Sequence, residues 1–411
     1  MPLYSDMNKI TVHGELSVDD GMRIIAAMHN TVDKKQFPDF HLDFTACTKA
    51  FSAQMLPIAS RCQAYWKESI DVKLTLPRDD KMRRLFLNAN WAHLIDVRSF
   101  DESRFRGYTH APAIKFGNGK EQNEAVNKVL DILLAAISHF KRADIRAIEW
   151  AINEVTDNVI NHAQSNTGGL IQVSNYRQRQ QIEFVVSDAG VGIPATLRPG
   201  HPEIQSDTEA LDKAIREGIT RDKSVGQGNG LYGSWRISQQ SGGEIKILSG
   251  YANLISSERN GLKISKLDIP MNGTVVASRI GYSEKIDLTD ALVFEGRTFV
   301  PVDYIETHFD EDEEGNIRFV LAEECDGFGS RAAGDPVRRK ALNLIKCLGT
   351  GKLIVDCSGV PLVSSSFADE LFGKLFLEIG PIEFTNSVQL VNLDPLVKNL
   401  IDKAVMQRMR Q

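Results

Sequence analysis

Hydrophobic positions in the first 110 residues follow two alternating patterns. Short apolar runs of strand length, such as KITVHGELSV and HLDFTAC, are separated by stretches in which apolar residues recur every three or four positions, as in DGMRIIAAMHNTVD. The alternation continues as a helix, a strand and a helix in MLPIASRCQAYWK, VKLTLP and DDKMRRLFLNANWAHLI. Strands that alternate with amphipathic helices predict a layered α/β domain.

The pattern changes near Glu121 and changes back near Tyr282. The middle part predicts two long helices, Glu121 to Phe140 and Asp144 to Ala163, followed by strands and glycine-rich segments. The last part again alternates strands such as KLIVDCS with helices such as SFADELFGKLFLEI. We therefore expect three domains of the α/β class, at residues 1–115, 121–281 and 290–411.

Composition narrows the classes of function. The chain has 411 residues, with 48 lysines and arginines against 54 aspartates and glutamates, so its formal net charge is −6 and a general nucleic-acid surface is not indicated. The apolar stretch Leu130 to Ile137, which is interrupted by Asp131, is far shorter than the ~20 residues that cross a bilayer. The first residues lack a signal core, and the five cysteines form no CxxC pair. We expect a cytoplasmic protein with no membrane contact.

One local pattern recurs in the two outer parts. In each, an apolar strand ends in an aspartate, Asp43 or Asp356, and a loop with a serine, Ser52 or Ser365, leads into a helix. Such pairs also arise by chance in α/β proteins, so the pattern leaves open whether the outer domains are related.

The segment IEWAINEVTDNVINHA carries the most specific chemistry. Glu154, Asn158 and Asn161 are spaced by four and three residues, which places them on one face of a helix. Apolar residues around them predict a mostly buried helix, and buried polar groups need partners. A carboxylate and two amides that project into a pocket would suit a magnesium ion with phosphate oxygens. An exposed polar helix face is the alternative.

Two glycine-rich segments follow. In FVVSDAGVGI an apolar strand runs into Asp188, whose carboxylate at a buried strand end can accept a hydrogen bond from an exocyclic amine. Gly190 and Gly192 permit a sharp turn and close approach of a flat ligand. The segment GQGNGLYGSWRIS then places several glycines before a predicted helix, where backbone N–H groups favour a phosphate. It matches neither a P-loop nor a dinucleotide motif.

In order, ExxxNxxNH, DxGxG, GxGxGL and the GT of NGTVVAS resemble the motifs of the GHKL ATPases, which include gyrase-type ATPases, Hsp90-type chaperones, histidine kinases and anti-sigma-factor kinases. The resemblance covers about residues 121–281 and implies a Bergerat ATP-binding fold, an α+β sandwich. It implies ATP and Mg²⁺ as cofactors, with Glu154 as the general base and Asn158 as the magnesium ligand. The further residues that it implies for nucleotide binding are Asn161, Asp188, Gly190, Gly192, Gly226, Gly228, Gly230, Leu231 and Thr274. The segment Pro194 to Val225 resembles the ATP lid, with Arg216, Arg221 and Lys223 either phosphate contacts or solvated.

The C-terminal part is similar to STAS-like domains, and the N-terminal part resembles them more distantly. The family resemblance makes Ser365 a possible phosphoacceptor, because it lies at the junction of loop and helix where STAS antagonists are phosphorylated. Ser364 stands here in place of the usual aspartate and Phe367 in place of the usual glycine. The alternative is that these serines only cap the helix.

The expected architecture is a central ATP-binding domain flanked by two STAS-like α/β domains. Three functions fit it: an ATPase whose nucleotide state controls the outer domains or a partner, a serine/threonine kinase of the anti-sigma type, and an ATP-binding scaffold without hydrolysis. Besides ATP, we expect a protein partner or a homo-oligomer.

Overall fold

A computed structural model describes residues 3–17, 20–105, 111–137, 142–219, 229–282, 289–294, 296–299, 304–309, 311–325 and 327–410. The chain divides into two compact units, Met1–Val129 with Trp150–Phe299, and Leu130–Glu149 with Val300–Gln411. Both units contain sheets and helices, so the prediction of an α/β protein is confirmed. The predicted boundaries of three domains stay a prediction.

The N-terminal part of the first unit is a four-stranded sheet with helices. Its strands lie in the order β1-β2-β3-β4, of which β2, β3 and β4 are parallel and β1 is antiparallel. The elements are β1 (Leu3–Asp6), β2 (Lys9–Glu15), α1 (Asp20–His29), β3 (Asp39–Lys49), α2 (Ser52–Lys67), β4 (Asp71–Thr75), α3 (Asp80–Asn88) and α4 (Trp91–Ile95).

A five-stranded antiparallel sheet forms the rest of the first unit, in the order β5-β6-β7-β9-β8. A small hairpin, β10 with β11, follows it. The elements are β5 (Ile114–Phe116), α5 (Gly119–Ala136), α6 (Arg142–His162), β6 (Gly169–Tyr176), β7 (Gln181–Asp188), α7 (Gly192–Leu197), α8 (Asp207–Ala214), α9 (Gly230–Gln240), β8 (Glu244–Ser257), β9 (Gly261–Gly281), β10 (Val293–Phe294) and β11 (Arg297–Thr298).

The two faces of the five-stranded sheet have different neighbours. Val185 of β7 belongs to the core shared with the N-terminal sheet and helices, whereas its neighbour Val186 lines a cavity on the other face. Helix α2 contacts the first face directly, because the Ser52 hydroxyl donates to Glu183 Oε2 at 3.0 Å in a buried position. The N-terminal part therefore covers the side of the sheet opposite the cavity.

The second unit contains a three-stranded parallel sheet in the order β12-β13-β14. A π-helical turn, Asp369–Gly373, joins α12 to α13, so the helix predicted in this segment is continuous. The elements are α10 (Tyr304–His308), β12 (Ile317–Val320), α11 (Arg331–Cys347), β13 (Leu353–Asp356), α12 (Ser365–Ala368), α13 (Lys374–Ile379), α14 (Pro381–Ser387), β14 (Val388–Val391) and α15 (Pro395–Met409).

The aspartate pattern of the outer parts has the same local geometry in both. Asp43 accepts a hydrogen bond from the Thr45 amide at 2.9 Å, and Asp356 accepts one from the Ser358 amide at 2.9 Å. Each aspartate also pairs with a cation on the preceding strand, Lys9 at 2.7 Å and Arg318 at 2.5 Å. In both parts that cation lies two residues before the aspartate's register partner. The repeated spacing in the sequence therefore reflects repeated local contacts. The prediction that both strands end at the aspartate is wrong for Asp43, because β3 continues to Lys49, whereas β13 does end at Asp356.

One prediction about an element was wrong, and two elements were missed. The helix expected over DDKMRRLFLNANWAHLI ends at Asn88 and restarts at Trp91, because Asn90 has a left-handed backbone with φ 66°. The Asn90 side chain fixes that turn by donating to Ala113 O and accepting from the Ser103 amide. Strand β8 and helix α14 had not been predicted.

Among the described parts of the chain, no helix is both long enough and apolar enough to cross a membrane.

Candidate functional site

A cavity of about 350 Å³ lies between the five-stranded sheet and helices α6, α7 and α9. Gly190 lies beside this cavity without lining it, and Gly226 and Gly228 fall outside the described residues. The residues predicted for nucleotide chemistry that do line it are Glu154, Asn158, Asn161, Asp188, Gly192, Gly230, Leu231 and Thr274. Motifs that are widely spaced in the sequence thus meet in one place.

Helix α6 presents its polar face to the cavity because its other face is buried. Ala151 and Ile152 are at most 1 % exposed, and Gln122 of α5 donates to the Thr156 hydroxyl at 2.9 Å. Burial, and to a smaller extent the nearby charge of Asp157, raise the pKa of Glu154 to about 7. A carboxyl group with a pKa near neutrality is suited to taking up a proton.

Two glycines of α9 allow this helix to lie against α6. A Cβ atom at Gly230 would collide with the carboxylate of Glu154, and one at Gly233 would collide with the ring of Trp150. Trp150 and Glu154 are one helical turn apart on α6. The glycines therefore bring the first turn of α9 next to Glu154.

The first turn of α9 faces the cavity without a side-chain cap. The Asn229 side chain does not cap the helix, and its Oδ1 instead accepts from the Gly218 amide at 3.0 Å. Because the first N–H groups of a helix have no intrahelical acceptor, an anion is a favourable partner for them.

Asp188 ends β7 inside the cavity wall. Its Oδ1 accepts from the Gly190 amide at 2.8 Å, and the Thr274 amide also donates to the carboxyl group. Burial nevertheless raises the pKa of Asp188 to about 7, against the lowering effect of these two hydrogen bonds. Gly190 has no room for a side chain, because a Cβ atom there would collide with Ala163 O, and Gly192 has φ 81°.

Ser249 is a residue of this site that the sequence analysis missed. Its buried hydroxyl accepts from the Ile193 amide at 2.8 Å, donates to Gly273 O at 2.9 Å and lies 3.1 Å from the Thr274 hydroxyl. It joins the turn after Asp188 to the part of β9 that carries Thr274. A serine within an apolar strand gave no signal of this role.

Replacing Ser249 with alanine should loosen the cavity. The change leaves the Ile193 N–H and Gly273 O unpaired in a buried place, which costs about 2 kcal/mol of unfolding free energy. We expect weaker ATP binding with it, measured by calorimetry beside a urea unfolding curve. Ser256→Ala is the control, because buried Ser256 accepts from the Trp235 indole at 2.9 Å, and Trp235 does not line the cavity as Ile193 and Thr274 do. Equal ATP affinity in both variants would contradict the role of Ser249.

The described lining of the cavity is acidic. It includes the carboxyl groups of Glu154, Asp157 and Asp188 and contains no lysine or arginine. Of the cations predicted in the lid, Arg216 is exposed and pairs with Asp212 at 2.5 Å, while Arg221 and Lys223 fall outside the described residues. A triphosphate placed here would need a metal cation, in addition to helix and loop amides, to balance its charge.

The donor set fits magnesium better than a metal held by protein alone. Where the chain is described, no group of three or more histidine, cysteine, aspartate or glutamate side chains could hold a metal. Magnesium in nucleotide sites keeps several waters and takes one or two protein groups plus phosphate oxygens. The amide oxygens of Asn158 and Asn161, beside Glu154, can supply such a small set.

Two neighbouring serines at the start of α12 in the second unit, Ser364 and Ser365, have different surroundings. Ser364 caps α12, because its hydroxyl accepts from the Phe367 amide at 3.0 Å. Ser365 is the first residue of α12 and is exposed. The capping alternative thus describes Ser364, and the Ser365 side chain faces solvent.

Two family models match the chain. Residues 143–275 match the histidine kinase-, DNA gyrase B- and HSP90-like ATPases, and residues 334–398 match a STAS-like domain of unknown function. No curated protein matches the chain. The first match spans α6 and most of the five-stranded sheet, which are the elements that form the cavity. The chain therefore contains an ATP-binding domain of the GHKL type, which is followed by a STAS-like domain.

Proposed function

We propose that this protein binds Mg–ATP and hydrolyses it, and that its nucleotide state controls the STAS-like domains or a partner protein. The observation that carries the proposal is the presence of Glu154 in the same cavity as Asn158 and Asp188. Asp188 and Thr274 would hold the adenine end, and Asn158 with the first turn of α9 would hold the phosphate end. Glu154 then lies at the phosphate end, because Gly230 of that turn is packed against it.

The chemistry assigned to Glu154 is proton acceptance. As water attacks the γ-phosphorus, a new O–P bond forms and the bond from phosphorus to the β–γ bridging oxygen breaks. The proton of the water passes to the Glu154 carboxylate, and ADP leaves with the bridging oxygen. Positioning and stabilisation of charge supply most of the rate enhancement in such reactions.

Magnesium would be held by Asn158, with Asn161 and Glu154 near it. When bound, the ion neutralises charge on the phosphates, which the acidic lining cannot do. The protein's own part is to place the amide oxygens and to leave the α9 amides uncapped.

The N-terminal part is proposed to be a second STAS-like module. It shares with the C-terminal part three consecutive parallel strands and the aspartate motif of Asp43 and Asp356. Its Ser52 is 2 % exposed and bonded to Glu183, so this serine is not accessible to an enzyme. A protein partner or second copy, and a cytoplasmic location, stay predictions.

The alternative function is that of a serine/threonine kinase that transfers the γ-phosphoryl group to a STAS serine. One observation favours it: Ser365 is exposed at the start of α12 while Ser364 does the capping. The third possibility is an ATP-binding scaffold, in which no phosphoryl group is transferred at all.

Incubation with ATP labelled at the γ-phosphate should release free phosphate and leave the protein unlabelled. Replacing Glu154 with alanine should abolish the release. Label that stays on the protein and is lost in Ser365→Ala, but not in Ser366→Ala, would instead establish the kinase. Tight ATP binding with neither free phosphate nor labelled protein would support the ATP-binding scaffold.

A further inference from the structure

Three aromatic side chains, from the middle of α6 and from the hairpin that follows the five-stranded sheet, line the cavity of the first unit. Trp150 lies one turn before Glu154, and Phe294 and Phe299 come from the β10–β11 hairpin. The ring centroids are 5.7 Å apart for Trp150 and Phe294, 6.2 Å for Trp150 and Phe299, and 6.3 Å for Phe294 and Phe299. We call these three residues the aromatic wall.

The hairpin that carries two of these rings is fixed on α9. Arg236 of α9 donates to Val293 O at 3.1 Å, and the Phe299 amide donates to Leu292 O at 2.8 Å. Gly233 of α9 gives Trp150 the space to reach Phe294. The hairpin lies beyond residue 275, where the match to the ATPase family ends, so the matched segment does not account for it.

We infer that the aromatic wall keeps bulk water away from the Glu154 carboxyl group, which makes Trp150, Phe294 and Phe299 positioning residues for the reaction. The inference rests on the proposed function. The phenyl rings of Phe294 and Phe299 offer a carboxylate no hydrogen-bond donor, and the three rings together exclude water that would otherwise solvate it. The rings thereby favour attack by the nucleophile that Glu154 holds.

Burial of Glu154 agrees with this arrangement, because it is the largest cause of the raised pKa of this side chain. The other titratable groups of the described lining are Asp157 on the same helix, His162 and Asp188. Within the described lining, α9 and the hairpin contribute no titratable side chain. The aromatic wall would thus act by keeping water on the hairpin side from reaching the Glu154 carboxyl group.

Phe299→Ala is the informative variant, because Phe299 is already 42 % exposed and its loss removes little of the core. We expect the acid limb of the pH–rate profile for ATP hydrolysis, near pH 7 in the parent protein, to move down by about one pH unit. At pH 6 the fraction of the plateau rate would then rise from about one tenth to about one half. The KM for ATP should change little.

Phe299→Leu keeps an apolar side chain and should leave the limb in place. Phe105→Ala removes a comparably exposed phenylalanine, 40 % against 42 %, from the N-terminal part and should also have no effect. Thermal melting of each variant checks that the fold persists.

A second measurement does not depend on turnover. An apolar carbodiimide modifies protonated carboxyl groups, and peptide mapping of the nucleotide-free protein would give the labelling of Glu154 against pH. We expect strong labelling at pH 6 to 7 in the parent and in Phe299→Leu, and several-fold less in Phe299→Ala. An unchanged labelling curve together with an unchanged limb would overturn the aromatic wall. Absence of ATP hydrolysis in the parent would overturn the proposed function, while the labelling would still report on the wall.

Discussion

Replacing Glu154 with glutamine should reduce ATP hydrolysis on the order of 10²–10⁴-fold while leaving ATP binding nearly unchanged. Glutamine keeps the size of the side chain and its packing against Gly230, but it cannot accept a proton. Because burial holds the pKa of Glu154 near 7, much of the parent carboxyl group is already neutral at pH 7. The variant should therefore fold as well as the parent. Phosphate release tests the expected loss of hydrolysis, and equilibrium ATP binding on the same preparation tests the expected unchanged affinity.

The pH dependence follows from the same pKa. Only the deprotonated form of Glu154 accepts a proton, so the rate should rise with pH and level off above about pH 7. Asp157→Asn is the matched control on the same helix. It should retain turnover and move the limb to lower pH, because the charge of Asp157 contributes to the raised pKa of Glu154. Parent-like turnover in Glu154→Gln would exclude Glu154 as the base.

The spacing of polar residues was enough to predict which side chains of α6 share a face and line the cavity. Residues four and three positions apart on a helix share a face whatever surrounds them, and Glu154, Asn158 and Asn161 do line one cavity. Asp188 was predictable for a similar reason, since a strand that runs into DxGxG has to turn there. The spacing on the helix and the turn after the strand depend only on neighbouring residues, so both could be predicted before the fold was known.

Contacts between distant segments left no such local signal. Ser249 acts through Ile193 and Gly273, which the chain brings to it only when β8 pairs with β9. The Ser52–Glu183 bond joins residues 131 positions apart. The rings of the β10–β11 hairpin are likewise ordinary phenylalanines in the sequence. Their proposed role depends on the position of the hairpin after β9. The pattern of hydrophobic residues does not predict that position.

Replacing Asp188 with asparagine should weaken ATP binding by about tenfold to a hundredfold. The Gly190 amide donates to Asp188 Oδ1, so the asparagine must keep its oxygen there and put its amino group where Oδ2 was. An adenine amine would then meet a donor in place of an acceptor, and an unpaired donor costs about 1–3 kcal/mol. Calorimetric titration with a non-hydrolysable ATP analogue measures the loss without turnover.

Although Asp188→Asn should bind ATP more weakly, its stability above pH 7 should be higher than that of the parent. Burial raises the pKa of Asp188 to about 7, above its value of 3.8 in an unfolded chain. For a group raised in this way, its contribution to stability is complete below the unfolded pKa and is lost as the pH rises through the folded pKa. Asparagine stays neutral, so above pH 7 the nucleotide-free variant should unfold at a higher urea concentration than the parent. Reduced ATP affinity with equal or greater stability would assign Asp188 to ligand recognition, whereas unchanged affinity would contradict the placement of adenine at this end of the cavity.

The parent should also bind ATP more weakly below pH 7, by up to about tenfold at pH 6, because only the carboxylate form of Asp188 is purely an acceptor.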